Sequence, residues 1–256
     1  MAGAAETLIQ VPLGMLKLFK QSVLLVLVAA AVIKASDPDP TQDFCVADLS
    51  SPYGSLMNGW PCKPVASVTA QDFAFSGLAD AANLTNNIFQ ADVQFGFVRN
   101  WPALNTMGLS LARLDLNPGG IIMPHTHNLA SEILFCLEGE IYTGFVTTSD
   151  HPDKPNQVYA KVVKKGEAFL FPRGLLHFQL NKGNVPAVSL NALNAHDPGI
   201  QMMPISLFAS GIDPELLTKA FLMTDEEVAS LKTSMSPFID AFSSRHRNIT
   251  ASSHGN

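Results

Sequence analysis

Three histidines and one glutamate are the side chains in this chain best able to do chemistry. His125 and His127 stand two apart, Glu132 follows five further on, and His177 lies in a second stretch, Gly166 to Asn181. In an extended strand residues i and i+2 face the same side, so His125 and His127 aim together. Glu132 opens the apolar run EILFCLEGE, where alternation puts Leu134 and Cys136 on its own face. His177 shares a face with Gln179 and Asn181, and Phe178 and Leu180 point the other way. Three imidazoles and a carboxylate on strands facing one interior would form a nitrogen–oxygen metal site. A His-x-His pair alone is equally a polar pair at a strand end, so the weight falls on the longer spacing.

That spacing is regular. From Gly119 the chain reads G, five residues, H-x-H, four residues, E, six residues, G; from Gly166 it reads G, five residues, P, four residues, H, three residues, N. These are the two sequence boxes of the cupins, with Pro172, His177 and Asn181 closing the second. The wording around them, FPRGLLHFQLNKGNVPAV and GEIYTGFVTT, resembles the germin-like proteins from about Cys45 to about Leu231.

The elements that must carry these residues read as short strands. Strands begin near Phe89 to Phe97, and MGLSLARLDL alternates as Leu109/Leu111 before shifting phase to Leu114/Leu116. Asn117-Pro118-Gly119-Gly120 is a turn by composition. The expected fold is mainly β, a single jelly-roll (cupin) barrel with short C-terminal helices. No repeat of the H-x-H box occurs, so one barrel is expected. Asp213 is placed to cap a helix with Pro214 at its first position, and Thr224 to Glu227 forms a capping box before a second helix, limited by Pro237. The divisions are 1–35 signal peptide, 36–88 N-terminal segment, 89–210 barrel, 211–246 helices and 247–256 tail.

Composition sets the setting. The 256 residues are 47% hydrophobic and 15% charged with a net charge of −6, which fits a globular chain with a sizeable core. No basic run is present, which argues against nucleic acid as a partner. Lys17 and Lys20 precede an apolar run from Val23 to Ile33, with Ala35 suited to a cleavage site. The run falls short of the about 20 residues a membrane span needs, so it reads as a secretory signal peptide and not a span. A start at Met15 would give it a more usual beginning. In an oxidising compartment Cys45 and Cys62 would bridge across the Pro/Gly-rich segment between them, leaving Cys136 as a buried free thiol. Asn83 and Asn248 open Asn-x-Thr acceptors for glycosylation. His151, in the loop SDHPDKPNQ, reads as solvated and apart from the metal.

Nitrogen and oxygen donors without thiolate suit Mn(II), Fe(II), Ni(II) or Zn(II). The resemblance favours Mn(II), with zinc or iron as alternatives, and implies a secreted, apoplastic oligomer, typically a hexamer, whose helices clasp a neighbouring barrel. Two functional readings follow: a manganese enzyme acting on superoxide, or a non-enzymatic binding or wall protein whose metal stabilises the barrel. Phe169, Phe171, Phe178, Leu134 and Met123 read as barrel core around the ligands. The sequence departs from one part of its family. Germins resembling oxalate oxidases carry asparagine three and thirteen residues before the first ligand histidine, and here those positions are Ile122 and Ala112. Oxalate oxidation is therefore not expected.

Overall fold

Ten strands build the protein around two facing antiparallel sheets in a computed structural model that describes residues 42–149, 151 and 153–238. The expected signal peptide, the Asn248 acceptor and the tail lie outside the described residues. One sheet runs β1 (Ala91–Gly96), β2 (Ser110–Leu116), β9 (Ala187–Leu193), β4 (Glu132–Glu138) and β7 (Ala168–Phe171). The other runs β10 (Gln201–Met202), β3 (Ile121–Thr126), β8 (Leu176–Leu180), β5 (Glu140–Val146) and β6 (Val158–Lys164). Apart from β1–β2 and β5–β6, neighbours in these orders are not consecutive in the chain, as the crossing connections of a jelly roll require.

Alternation explains which side chains enter. Leu134 and Cys136 are buried between exposed Ile133, Phe135 and Leu137 on β4, and His177 and Gln179 are buried on β8. Leu116, Leu134, Ile141, Val163 and Phe171 form the floor of the core. A fully buried Leu or Ile of this kind contributes about 1.5–3 kcal/mol. The expected phase shift in β2 does not occur. Its register with β1 and β9 is unbroken, and Ala112, Leu114 and Leu116 point inward while Leu109 is exposed. Leucine type alone misled the reading, because Ala112 is the inward residue and Leu111 the outward one.

The outer face of β2 has a separate task. Arg113 Nη2 pairs with Asp115 Oδ1 at 3.0 Å, and Arg113 Nη1 donates to the carbonyls of Leu78 and Ala79. Asp115 Oδ2 accepts from the backbone of Ala82. The segment ahead of Asn83 is thereby clasped to the barrel.

The box glycines sit where the backbone needs positive φ: Gly119 at 77°, Gly139 at 67° and Gly166 at 85°. At Gly139 a Cβ would also lie 2.6 Å from the Pro186 carbonyl oxygen. Within β3 the pairing with β8 shifts between Ile122 and His125, and Pro124, which has no N–H to give, occupies the irregular stretch. The parity change lets Ile122 and His125 both reach the interior.

Cys45 and Cys62 are disulfide-bonded with Cα atoms 4.9 Å apart, and Cys136 is free and buried. Asn105, wholly buried, donates to Trp60 O at 2.8 Å and to Cys45 Sγ at 3.1 Å, which anchors that loop. After β10 come α1 (Met203–Phe208), α2 (Pro214–Phe221) and α3 (Asp225–Met235). Asp213 caps α2 through Glu215 N, and the Thr224–Glu227 box caps α3. The sequence reading did not foresee α1. Among the described residues no helix is long and apolar enough to cross a membrane.

Candidate metal centre

His125, His127, Glu132 and His177 come together, all buried, with one potential ligand atom from each lying within 4.8 Å of the others. His125 comes from β3, His127 from the residue just past its end, Glu132 from the start of β4 and His177 from β8. Both sheets therefore contribute. His127 Nε2 lies 3.0 Å and His177 Nε2 3.2 Å from Glu132 Oε2. The ring centroids of His125 and His177 are 4.1 Å apart.

The other ring nitrogens decide the tautomers. Nδ1 of His125 meets the Met123 carbonyl at 2.9 Å, that of His127 meets Gly199 O at 2.5 Å, and that of His177 meets Leu175 O at 2.8 Å. A carbonyl oxygen only accepts, so each Nδ1 carries the proton and donates. In a neutral ring Nε2 is then a lone pair, and all three lone-pair nitrogens turn toward the shared centre. Two of them also face a carboxylate oxygen. Lone pairs opposed at about 3 Å repel unless a cation stands between them, and burial makes the unpaired arrangement costly. A divalent ion fits this donor set.

Electrostatics agrees with the geometry. Burial pushes the His125 pKa down to about 3, helped by the neighbouring His177 and His127, so this ring is a neutral donor at physiological pH. Burial alone would raise the Glu132 pKa. Hydrogen bonds that His127 and His177 donate when Nε2 also carries a proton, with the charge they then bear, outweigh it and hold the carboxyl below the ordinary carboxylate range.

Further polar residues at the centre had no local signal in the sequence. Asn191 Nδ2 on β9 donates to Glu132 Oε1, and Ser189 Oγ donates to Asn191 Oδ1 at 2.7 Å, all buried. Gln179 is 1% exposed and its amide oxygen and nitrogen have no protein partner. It lines a cavity of about 40 Å³ beside the cluster, with Ala112, Leu114 and Ile122 in the opposing walls. Only the shared face of His177 and Gln179 hinted at this.

The remaining expected residues sort out plainly. Phe171 stacks on His177 with centroids 4.5 Å apart. Met123 is buried on β3, where it also borders an outer groove, while Phe178 lies half-buried on the outer face of β8 and is not the core residue expected. Asn181 binds backbone: its amide nitrogen donates to Leu116 O and Val185 O. Asn83 is exposed, its side-chain oxygen accepting from Thr85 N. His151 is exposed and outside the cluster.

Two facing sheets with a His-His-Glu-His cluster at their centre define a cupin, and residues 76–229 match the Cupin family. The chain is 45% identical over 206 residues to germin-like protein subfamily 3 member 2 of Arabidopsis thaliana, covering 79% of this chain and 87% of that one. It is 44% identical over 201 residues to the rhicadhesin receptor of Pisum sativum, covering 78% and 88%. A solved recombinant oxalate oxidase in complex with glycolate superposes with a TM-score of 0.74 at 38% identity, over 79% of this chain and 99% of that one. The chain belongs to the germin-like proteins.

Proposed function

We propose that this is a secreted manganese-binding germin-like glycoprotein that dismutates superoxide. The observation that carries the reading is the convergence of three Nε2 lone pairs and Glu132 Oε2 on one buried point. Four protein donors would leave a six-coordinate ion two open positions, and manganese is the ion the family resemblance favours. Bound there, a redox-active divalent ion would supply one-electron exchange with a small oxygen species.

The chain's own residues supply the rest. The Met123, Gly199 and Leu175 carbonyls fix the imidazoles, and Asn191 fixes Glu132. Apolar walls keep bulk water from the centre. Gln179 Nε2 offers a hydrogen bond to an anionic oxygen atom, and no other uncharged amide lines the cavity. Ala112 and Ile122 give none, which leaves Gln179 Nε2 as the one amide donor for the two oxygens of oxalate's far carboxylate. Burying the other oxygen unpaired is costly. Oxalate oxidation, the activity named for the solved relative, is therefore not proposed here.

Secretion is supported by the lysine-flanked apolar leader and the Cys45–Cys62 bridge, and glycosylation by the exposed Asn83. Self-association is supported by the exposed Ile133, Phe135, Leu137 and Leu170 on the outer face of one sheet. A second reading, a binding or wall protein with a stabilising metal, draws support from the receptor named in the pea relative.

The test is metal analysis and superoxide dismutation by natively expressed protein, beside His125→Ala. Expected are manganese in the wild type and loss of dismutation in a variant that keeps its oligomeric state. Metal-loaded wild type without dismutation would leave the binding reading in possession.

A further inference from the structure

We propose that small molecules reach the metal centre through the seam between β1 and β10, and that Met202 is the gate that sets their size. The inference rests on the reading of the cluster as a metal site.

The two sheets do not close on each other along this seam. β1 is the edge of one sheet and β10 the edge of the other, and no strand pairing joins β1 to β3 or β10. A backbone hydrogen bond from Ile121 N to Phe89 O, 2.9 Å, ties the start of β3 to the approach of β1, and beyond it side chains seal the seam. The cavity beside the cluster lies on the inner side, and an outer groove of about 380 Å³ lies on the other. Val93, Phe95, Ile122 and Met202 line both. One layer of four apolar side chains thus separates the groove from the centre. A seal made of side chains opens by rotamer change, without breaking a backbone hydrogen bond.

Met202 is the member of that layer best suited to move. Val93 and Phe95 stand on a six-residue strand, and Ile122 on β3 is itself paired with Gln179 of β8. Met202 ends a two-residue strand whose pairing is Gln201 with Thr126 and Met202 with His125. It is half-buried, and its unbranched thioether chain has three rotatable bonds. The strap that carries it also touches the centre, since the Gly199 carbonyl accepts from His127 Nδ1. A wall of this kind selects entrants by size, which matches a centre acting on small oxygen species.

The test uses full-length manganese-loaded protein and two probes, azide and glycolate, with association followed by stopped-flow and by the electron paramagnetic resonance of the bound ion. Met202→Ala should speed azide association roughly tenfold, equivalent to about 1.4 kcal/mol off the passage barrier, and glycolate association more. Met202→Leu, which nearly restores the volume, should stay near wild type, and Met202→Phe should slow both probes. Phe95→Leu tests the same wall from the other sheet and should speed entry. Ile88→Ala trims the exposed rim of the outer groove but is no part of the shared wall, so it should leave the rates unchanged. Equal acceleration by Ile88→Ala, or unchanged rates in Met202→Ala and Phe95→Leu at full metal content, would overturn the gate. Wild-type protein that takes up no metal would instead overturn the site on which the gate depends.

Discussion

Asn191→Leu isolates what the polar residue behind Glu132 does for metal binding. Asn191 Nδ2 donates to Glu132 Oε1 while Oε2 faces His127 and His177, so Asn191 fixes which oxygen is presented to the centre. Leucine keeps asparagine's branching but is bulkier, so Asn191→Ala, which removes the same donor without crowding this fully buried position, is measured beside it. Removing a polar partner behind a metal ligand costs about 10–100-fold in affinity. That corresponds to about 1.4–2.7 kcal/mol. In metal-free protein the buried carboxylate loses a charge-assisted hydrogen bond of about 1.5–3 kcal/mol, and the Ser189 hydroxyl loses its acceptor, a further ~1 kcal/mol. Ser189→Ala removes the outer link alone and should cost about 1 kcal/mol with a smaller effect on the metal. The assay is competition for Mn(II) against a chromophoric chelator near neutral pH, with urea unfolding of the metal-free proteins. Affinity should fall in the order wild type, Ser189→Ala, Asn191→Leu. A folded Asn191→Leu that binds manganese as wild type does would refute the argument that this hydrogen bond orients the ligand.

Manganese-loaded protein should release no peroxide from oxalate in a coupled peroxidase assay; release that His127→Ala abolishes would show that Ala112 and Ile122 do not decide the matter. Metal-free protein should lose stability as pH falls. The folded-state pKa of His125 is depressed, so the unfolded chain binds the extra proton below about 6.5 and stability declines from there toward about 3, with Glu132 adding to the loss below about 4.5. Urea melts from pH 8 to pH 4 measure this, and a flat profile in the metal-free form would contradict the buried neutral imidazole. Replacing Cys45 and Cys62 by alanine together should lower stability by about 3 kcal/mol, the loop-entropy value for a separation of 17 residues. Peptide mapping should find Cys136 unmodified by either partner.

The spacing of the two boxes made the four cluster residues legible, His125, His127 and Glu132 in the first and His177 in the second, because each box is a local pattern. The caps at Asp213 and Thr224 were legible for the same reason. The unread parts depend on contacts distant in sequence. Asn191 lies 59 residues from Glu132, and Gly199 lies 72 from His127. No spacing near either residue announces the contact. The run IQMMPISLF is apolar without a clear period, so neither the short β10 nor α1 declared itself. In β2 the small Ala112 took the inward place that leucine content had assigned elsewhere.

Consecutive residues on β2 answer to different masters. Ala112 and Leu114 line the cavity, while Arg113 and Asp115 hold the 78–82 segment on the outside. Because the pleat keeps the two sets on opposite faces, a substitution at 112 or 114 changes the chamber without disturbing the clasp. Mutational drift in reactivity is thus uncoupled from upkeep of the exterior. A laboratory selection confined to those two positions could explore new specificities on a scaffold whose 78–82 segment stays where it is.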